Sequence, residues 1–307
     1  MAASKPAPDR EVLGVAISHA EKELWPKSKA GAAVTKLALA RYYAAAASRM
    51  LPHIAGRPIS IVRTPDGIRG PRFFQRHAAA GSGALAVKIK GEAKPFLTVD
   101  SAKTLVALAQ LGAVEIHPWG SAKGDPERPG RIVFDLDPAP KLAFERVIEA
   151  AKDVRARLTA LGLVPFVKTT GGKGLHVVVA VGSATSWSEA KIFAKAMALA
   201  MERDSPDRYT TTLAKSARPD KIFIDIQRND RMASSVAPWS PRARDGAPIS
   251  VPLEWSQIKH GLEPSRFTIA TSPALLRKAD PWSALTKSAR AIAPAMKKLA
   301  RVHDASD

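Results

Sequence analysis

The stretch Arg131-Ile-Val-Phe-Asp-Leu-Asp-Pro138 decides how the rest of the chain is interpreted. With the period of two of a β-strand, its apolar residues share one face, while Asp135 and Asp137 stand side by side on the other. Two carboxylates this close repel each other unless a cation lies between them, and Mg²⁺ and Mn²⁺ prefer carboxylate oxygens. Pro138 has no backbone N–H and ends the strand. The stretch therefore predicts a strand end that binds a divalent metal.

The composition is that of a globular protein with a large excess of positive charge. The 307 residues are 46% hydrophobic, and 47 basic against 28 acidic side chains give a net charge of +19. The excess is spread along the chain, because residues 1–130 carry 19 basic and 10 acidic side chains and residues 131–307 carry 28 and 18. Such a charge favours a polyanion as partner, nucleic acid rather than membrane, although it could also serve solubility alone.

Two absences narrow the possible functions. The chain has no cysteine, which excludes disulfides and thiol chemistry. It also has no run of about 18 apolar residues and no apolar leader at its start, so we expect a protein without a membrane span that stays inside the cell.

Hydrophobic periodicity predicts helices and strands in an α+β arrangement, with helices packed on a mostly antiparallel sheet. One helix should begin at the N-cap Thr35 and end at Pro52, and Ser18 to Pro26 should form a short helical turn. The other predicted helices cover residues 101–111, 143–161, 186–203 and about 283–302. The predicted strands cover residues 58–63, 113–117, 131–138, 163–169, 175–180 and 221–227.

A second strand repeats the acidic pattern of the first. In Ile222-Phe-Ile-Asp-Ile-Gln227 the isoleucines share one face and Asp225 lies on the other. If the two strands are neighbours, three carboxylates form the minimal cage for two divalent ions about 3.5–4 Å apart. By itself, Asp225 is equally consistent with a surface carboxylate.

Two further segments are suited to binding phosphate. The loop Thr170-Gly-Gly-Lys-Gly-Leu-His176 is rich in glycine, but it is not a Walker loop because Gly174 stands where that motif needs Ser or Thr. Its backbone N–H groups and Lys173 could surround an anion, or the glycines could simply allow a hairpin turn. Arg242 and Arg244 lie on the same side of a segment that is predicted to be extended. They could be solvated surface residues, or they could bind the phosphates of a nucleotide together.

Phe73, Phe74 and His117 could have a structural or a functional role. Phe73 and Phe74 lie close to Arg76, a pattern typical of a platform on which bases stack. A place in the core is the better prediction for at least one of these rings. His117 is interpreted first as a partly buried histidine with a satisfied hydrogen bond.

Val133-Phe-Asp-Leu-Asp137 resembles the nucleophile strand of haloacid-dehalogenase-like phosphatases. Those enzymes need Gly-Thr or a similar pair after the second aspartate, where this chain has Pro138-Ala139. A phosphatase is therefore kept only as an alternative.

Taken together, seven segments resemble the polymerase domain of bacterial DNA ligase D, a branch of the archaeo-eukaryotic primase superfamily. The similarity extends from about Leu24 to Trp255. The matching segments are Val34–Leu37 with Arg41–Tyr43, Phe73–Gln75, Ala113–Trp119, Phe134–Pro138, Gly171–His176, Ile224–Asp225 with Arg228–Asn229, and Val236–Pro238 with Ser240–Arg244.

This resemblance implies a primase-polymerase fold and a nucleotidyltransferase that adds nucleotides, directed by a template, to DNA ends or gaps during non-homologous end joining. Two Mg²⁺ or Mn²⁺ ions would be held by Asp135, Asp137 and Asp225. NTP or dNTP would be bound by Thr170, which replaces the usual serine, and by Lys173, His176, Arg242 and Arg244. The DNA would be bound through Lys22 and Lys36 at its 5′-phosphate and through Phe73 or Phe74 at its template.

The resemblance also sets expectations for organisation and partners. We expect a primase-polymerase domain over residues 11–285, with a DNA-binding module at 11–125 and a catalytic module at 126–285, followed by a basic helix and tail at 286–307. No Lys-x-Asp-Gly adenylation motif occurs, so the chain is either a stand-alone polymerase or one domain of a longer protein. Ku and a DNA ligase are candidate partners, and the expected location is the bacterial cytoplasm at the nucleoid. A nucleic-acid-binding module that has lost catalysis is the remaining alternative.

Overall fold

The computed structural model describes residues 10–78, 85–214, 216 and 218–304. The last three residues of the predicted C-terminal tail, 305–307, lie outside this description. In chain order the helices are α1 Lys36–Ile54, α2 Ala102–Gln110, α3 Phe144–Ala160, α4 Trp187–Asp204, α5 Ser272–Leu276 and α6 Ala293–Asp304. The strands are β1 Glu11–Val12, β2 Val15–Ala16, β3 Glu23–Trp25, β4 Val34–Thr35, β5 Ile59–Arg63, β6 Phe73–Gln75, β7 Ala86–Val87, β8 Phe96–Leu97, β9 Ala113–Pro118, β10 Ser121–Ala122, β11 Asp125–Pro129, β12 Arg131–Pro138, β13 Pro165–Thr169, β14 Leu175–Ala180, β15 Tyr209–Thr210, β16 Ile222–Asp225 and β17 Pro252–Leu253.

The chain divides into two compact units, and later segments return to the first one. The first unit contains the described residues up to Pro118, together with Val236–Val251 and Ser265–Ala279. The second contains Trp119–Ser235, Pro252–Pro264 and the described residues from Asp280 onward.

In the first unit, α1 and α2 pack against each other beside a five-stranded sheet. Strand β5 lies inside this sheet and pairs antiparallel with β6, β8 and β9. Its residues Ile59 and Ile61 are completely buried. Strand β6 forms one edge of the sheet and carries Phe73 and Phe74.

The second unit is built on a six-stranded sheet in the order β15-β16-β12-β14-β13-β17. Every pair in it is antiparallel except β15 with β16. Helices α3 and α4 pack against it. The predicted α+β class with a mostly antiparallel sheet is therefore confirmed.

The acidic stretch of the sequence is the β12 strand, which lies between β16 and β14. At its start, Val133 packs in a cluster with Trp282 and Leu285 from the C-terminal segment. The Trp282 indole donates to the backbone oxygen of Val167 at 3.0 Å, and this hydrogen bond fixes the C-terminal segment against the sheet. The strand is buried up to Leu136 and emerges at Asp137, so only its acidic end reaches the surface.

The starts of α1, α2 and α4 agree with the sequence because polar caps satisfy the first N–H groups. Thr35 accepts from Ala38 N at 3.2 Å. Ser101 and Ser186 each form a reciprocal capping box, with Thr104 and Glu189 as their partners.

Three helix predictions were wrong. Helix α1 does not end at Pro52 but continues to Ile54, because a proline in the last turn removes one hydrogen bond and leaves the Ala55 N–H to bond Leu51 O. The predicted helical turn up to Pro26 is instead strand β3, which pairs with β4 and buries Leu24 and Trp25. The last helix begins at Ala293, ten residues later than expected, and Pro294 in its first turn suits that start.

Within the described part of the chain, none of the helices is both long enough and apolar enough to cross a bilayer.

Candidate active site

Three carboxylates meet on one face of the second unit's sheet. Strands β12 and β16 run antiparallel with Asp135 directly opposite Asp225. Asp137 lies two residues along β12 and therefore projects from the same face as Asp135. One oxygen from each of the three carboxylates lies within 4.8 Å of the other two. The arrangement predicted from two separate strands is thus present.

Cationic and neutral donors surround the carboxylates. His176 on β14 is the cross-strand neighbour of Asp135, and its Nε2 lies 3.1 Å from Asp135 Oδ1. Arg228 reaches both strands, with Nε 3.4 Å from Asp135 Oδ2 and Nη2 3.4 Å from Asp225 Oδ2. The backbone N–H of Gln227 donates to Asp225 Oδ1 at 2.8 Å.

The electrostatics keep Asp135 ionised. Burial alone would raise the pKa of Asp135, but attraction to His176, Arg228 and Lys168 outweighs it and lowers this pKa to about 2. Burial lowers the pKa of His176 to about 4, against the attraction of Asp135. At neutral pH a neutral imidazole therefore lies beside an ionised carboxylate.

Asp137 has the opposite shift. Asp137 reaches the surface, but its carboxyl group is partly desolvated by its neighbours. This desolvation raises its pKa to about 6, and repulsion from Asp135 and Asp225 adds to the effect. The pKa of Asp225 is also raised, chiefly by burial. The site therefore holds more negative charge than its own cations neutralise.

These residues fit a divalent metal. The donor set consists of carboxylate oxygens, the ligands that Mg²⁺ and Mn²⁺ prefer. The raised pKa of Asp137 marks the position where a bound cation would relieve repulsion. Among the residues that the structure describes, Asp135, Asp137 and Asp225 form a group of side chains that could together hold a metal ion.

The glycine-rich loop joins β13 to β14 beside the carboxylates. The Thr170 hydroxyl lies inside the loop, where it donates to Gly174 O at 3.1 Å and accepts from Gly172 N at 3.2 Å. A Cβ at Gly174 would lie 2.6 Å from Leu136 O, so only glycine allows the loop to approach β12. Lys173 is exposed and donates to Pro140 O at 3.2 Å. The loop is a hairpin turn that also lies against the acidic strand.

Arg228 is held in place by the residue that follows it. Strand β16 ends at Asp225 and a short 3-10 helix, Gln227–Asn229, continues the chain. The buried Asn229 amide accepts from Val133 N at 2.7 Å and donates to Val133 O at 2.8 Å. This side chain thus takes the place of a strand beside β12 and fixes the turn that carries Arg228.

In the first unit, the two predicted phosphate-binding lysines lie close together. The Lys36 N–H bonds to Lys22 O at 2.8 Å, so the backbones of the two residues touch. Burial and the nearby Lys22 lower the pKa of Lys36. The Lys22 ammonium pairs with Asp66 at 2.8 Å in an exposed ion pair. An anion bound here would relieve the repulsion between the two ammonium groups.

The prediction that at least one of the two phenylalanine rings is core was wrong. Phe73 is 50% and Phe74 is 57% exposed. They are neighbours on the edge strand β6 and so point to opposite sides of it. Arg76 stacks over the Phe74 ring at 5.6 Å. Each ring is available on its own side of the strand.

Arg242 and Arg244 lie in different environments in the first unit. Arg242 is half-buried, with Nε 3.0 Å from Glu115 Oε2, and Arg244 is exposed. The Glu115 carboxylate also contacts His117 Nε2 at 2.8 Å and accepts from Ala243 N at 2.8 Å. His117 is thus a partly buried histidine with a partner, as predicted. The segment turns rather than continuing extended, since Arg244 N bonds back to Arg242 O.

Sequence reasoning missed two residues of these sites. Arg228 was included in a matching segment but was assigned no role, although its position three residues after Asp225 at a strand end was a usable signal. Glu115 lies in the matching segment Ala113–Trp119 but was also assigned no role, and no local pattern was available for one because its partner Arg242 is 127 residues further along the chain.

Comparison with known proteins agrees with this geometry. A model of the LigD primase-polymerase domain family matches residues 35–282. The multifunctional non-homologous end joining protein LigD of Pseudomonas aeruginosa is 37% identical over 303 residues, which are 96% of this chain and 36% of that protein. The Mycobacterium tuberculosis LigD is 33% identical over 256 residues, which are 80% of this chain and 33% of that protein. The chain thus spans about a third of the length of these curated relatives.

A solved structure shares the fold. The polymerase domain of M. tuberculosis ligase D, in complex with DNA, superposes with a TM-score of 0.80 and 31% identity, covering 90% of this chain and 99% of that one.

A mostly antiparallel sheet with an acidic cluster, in a chain that matches the family model and shares the fold of the ligase D polymerase domain, places the chain in the primase-polymerase class. The chain belongs to the LigD primase-polymerase domain family. This assignment sets aside the phosphatase alternative.

Proposed function

We propose that this protein is a DNA-directed polymerase that adds nucleotides to DNA ends or gaps during non-homologous end joining. The carboxylate cluster of Asp135, Asp137 and Asp225, on the fold of the LigD polymerase domain, is the observation that carries the proposal. In the reaction, a primer 3′-hydroxyl attacks the α-phosphate of the nucleotide and pyrophosphate leaves.

The three carboxylates are proposed to hold two Mg²⁺ or Mn²⁺ ions. When bound, such ions lower the pKa of the attacking hydroxyl and neutralise charge on the phosphates. Asp135 is ionised at neutral pH, as a metal ligand must be. Arg228 contacts both Asp135 and Asp225 at the point where the ions would bind.

The nucleotide is proposed to be bound by Thr170, Lys173, His176, Arg242 and Arg244. Lys173 and Arg244 are exposed cations suited to the outer phosphates. His176 contacts Asp135, and Thr170 shapes the loop that approaches β12. The proposed nucleotide is NTP or dNTP.

The DNA is proposed to be a gapped or recessed end. The neighbouring positive charges of Lys22 and Lys36 suit its 5′-phosphate. The exposed rings of Phe73 and Phe74 suit stacking on a template base. The charge of +19 supports binding along the phosphate backbone.

The proposed partners, location and functional divisions rest on the resemblance to LigD proteins. Their names place them in non-homologous end joining. We propose Ku and a DNA ligase as partners and the bacterial cytoplasm at the nucleoid as the location. The DNA-binding module at 11–125, the catalytic module at 126–285 and the C-terminal segment at 286–307 are proposed as functional divisions.

One experiment tests the proposal and its DNA site together. Extension of a labelled primer across a short gap is measured with and without a 5′-phosphate, using NTP or dNTP and Mg²⁺ or Mn²⁺. We expect extension that is stimulated by the 5′-phosphate, and the Lys22→Ala, Lys36→Ala double variant should lose the stimulation but keep basal extension. DNA binding without any extension would instead identify a binding module that has lost catalysis.

A further inference from the structure

A buried carboxylate outside the acidic cluster joins two parts of the first unit. Glu115 lies on β9 and is 6% exposed. Its Oε2 lies 3.0 Å from Arg242 Nε and 2.8 Å from His117 Nε2, and its Oε1 accepts from Ala243 N at 2.8 Å. Both carboxylate oxygens are therefore used, which is what a buried charge requires.

The segment that carries Arg242 is fixed to the same strand by its backbone. Ala237 N donates to Ile116 O, and Ile116 N donates to the Ser240 hydroxyl, both at 2.9 Å. The backbone oxygen of Arg242 accepts from the Trp25 indole, also at 2.9 Å. These bonds hold the main chain at residue 242, but they do not fix the long arginine side chain.

The Glu115 carboxylate supplies what the backbone cannot. An arginine loses considerable rotamer freedom when it binds a phosphate, and a planar guanidinium must be correctly oriented to do so. The Glu115 carboxylate lies 3.0 Å from Nε, the end of the guanidinium nearest to the backbone, as an ion pair rather than a hydrogen bond. This attraction holds the guanidinium near Glu115 and limits the directions that its outer end can take. The lowered pKa of Glu115, about 2, shows that the carboxylate stays ionised and able to pair.

We propose that Glu115 is a positioning residue that pre-orders the Arg242 guanidinium for the triphosphate of the incoming nucleotide. The inference rests on the proposed function, which assigns Arg242 to nucleotide binding. Glu115 itself is buried and is proposed to act through Arg242, and His117 contacts the same carboxylate oxygen.

Binding of ATP with Mn²⁺ to the whole chain, without DNA, tests the inference by calorimetry. Glu115→Gln keeps the shape of the side chain and removes its charge, and we expect it to weaken ATP binding about tenfold. Arg242→Ala should weaken binding at least as much. The double variant should bind no more weakly than Arg242→Ala alone, because a residue that acts through another has no separate effect.

The same variants in primer extension separate positioning from a general structural effect. Glu115→Gln should raise KM for the nucleotide while kcat changes little, and the KM for DNA should stay at the parental value. Glu149→Gln removes a carboxylate from an exposed ion-pair group with Arg146 and Arg208 on the other unit, and it should behave like the parent. If Glu115→Gln does not fold, Glu115→Asp is used instead, because it keeps the charge but places it one methylene further from Arg242. It should weaken ATP binding by less than the tenfold expected of Glu115→Gln.

Different results identify different failures. Parental ATP binding by Glu115→Gln, or a double variant whose loss is the product of the two single losses, overturns the positioning role and leaves Arg242 as a nucleotide ligand. Parental ATP binding by Arg242→Ala overturns the proposed role of Arg242, and the inference fails with it.

Discussion

At the scale of single residues, Asp137 is a carboxylate whose ionisation the fold opposes. It stands beside two other carboxylates, and burial together with their repulsion raises its pKa to about 6. Because this pKa lies above the ordinary value of 3.8, the folded protein binds a proton more tightly than the unfolded chain. Ionised Asp137 thus lowers stability increasingly as the pH rises through 6.

This imbalance predicts an unusual stabilising substitution. Without metal at pH 7.5, Asp137→Asn should melt a few degrees higher than the parent. The difference should shrink as the pH falls through 6 toward 4, where Asp137 is protonated. Mn²⁺ should stabilise the parent and not the variant. Thermal melts with EDTA and with Mn²⁺ measure both effects, and a lower melting temperature for the variant in EDTA would contradict the account of charge crowding.

The contribution of Glu115 to folding stability should depend on pH in the opposite direction. Burial opposes ionisation of this carboxylate, but His117, Arg242 and Ala243 N outweigh it and lower the pKa from 4.5 to about 2. Its contribution to stability is therefore complete above about pH 4.5 and is lost as the pH falls toward 2. Urea denaturation should show Glu115→Gln less stable than the parent by about 3 kcal/mol at pH 7, with a smaller difference at pH 3.5. A difference that is constant with pH would mean that the carboxylate is not ionised in the fold.

At the scale of elements, the acidic cluster depends on how β16 ends. The chain leaves the sheet after Asp225, and the Asn229 amide then bonds both the N–H and the C=O of Val133 on β12. An asparagine side chain thus replaces a strand at the point where the 3-10 helix must begin. Without it, two buried backbone groups would lose their partners.

Asn229→Ala should therefore cost about 2–4 kcal/mol of unfolding free energy. Chemical denaturation of the whole chain measures this loss. Gln227→Ala is the matched control in the same 3-10 helix, since the Gln227 side chain is exposed and its backbone N–H, which bonds Asp225, is unchanged. Equal stability of the two variants would show that the Asn229 amide does not hold the turn.

The elements also show what the sequence could predict and what it could not. Period-two alternation correctly placed Asp135, Asp137 and Asp225 on sheet faces, and serine and threonine caps marked helix starts, because both signals are local. The exposure of Phe73 and Phe74 could not be predicted, since it depends on β6 being the edge of its sheet. The pairing of strands and the contact between Glu115 and Arg242 are likewise set by tertiary packing.

At the scale of the whole molecule, the charge of +19 is distributed along the chain and both units share it. We expect the Kd for a gapped duplex to rise by about two to three orders of magnitude between 50 and 200 mM salt, because phosphate contacts release counterions. Fluorescence anisotropy over a salt series measures this. A Kd that stays constant over the series would contradict binding along the DNA backbone.

In the proposed function, the three carboxylates form the metal centre of a polymerase. Incorporation of a labelled nucleotide into a gapped primer-template, compared between the parent and Asp137→Ala at equal DNA occupancy, tests it most directly. The parent should extend the primer with Mg²⁺ or Mn²⁺, and Asp137→Ala should bind the DNA with parental affinity yet fail to extend it. Extension by Asp137→Ala at the parental rate would contradict the claim.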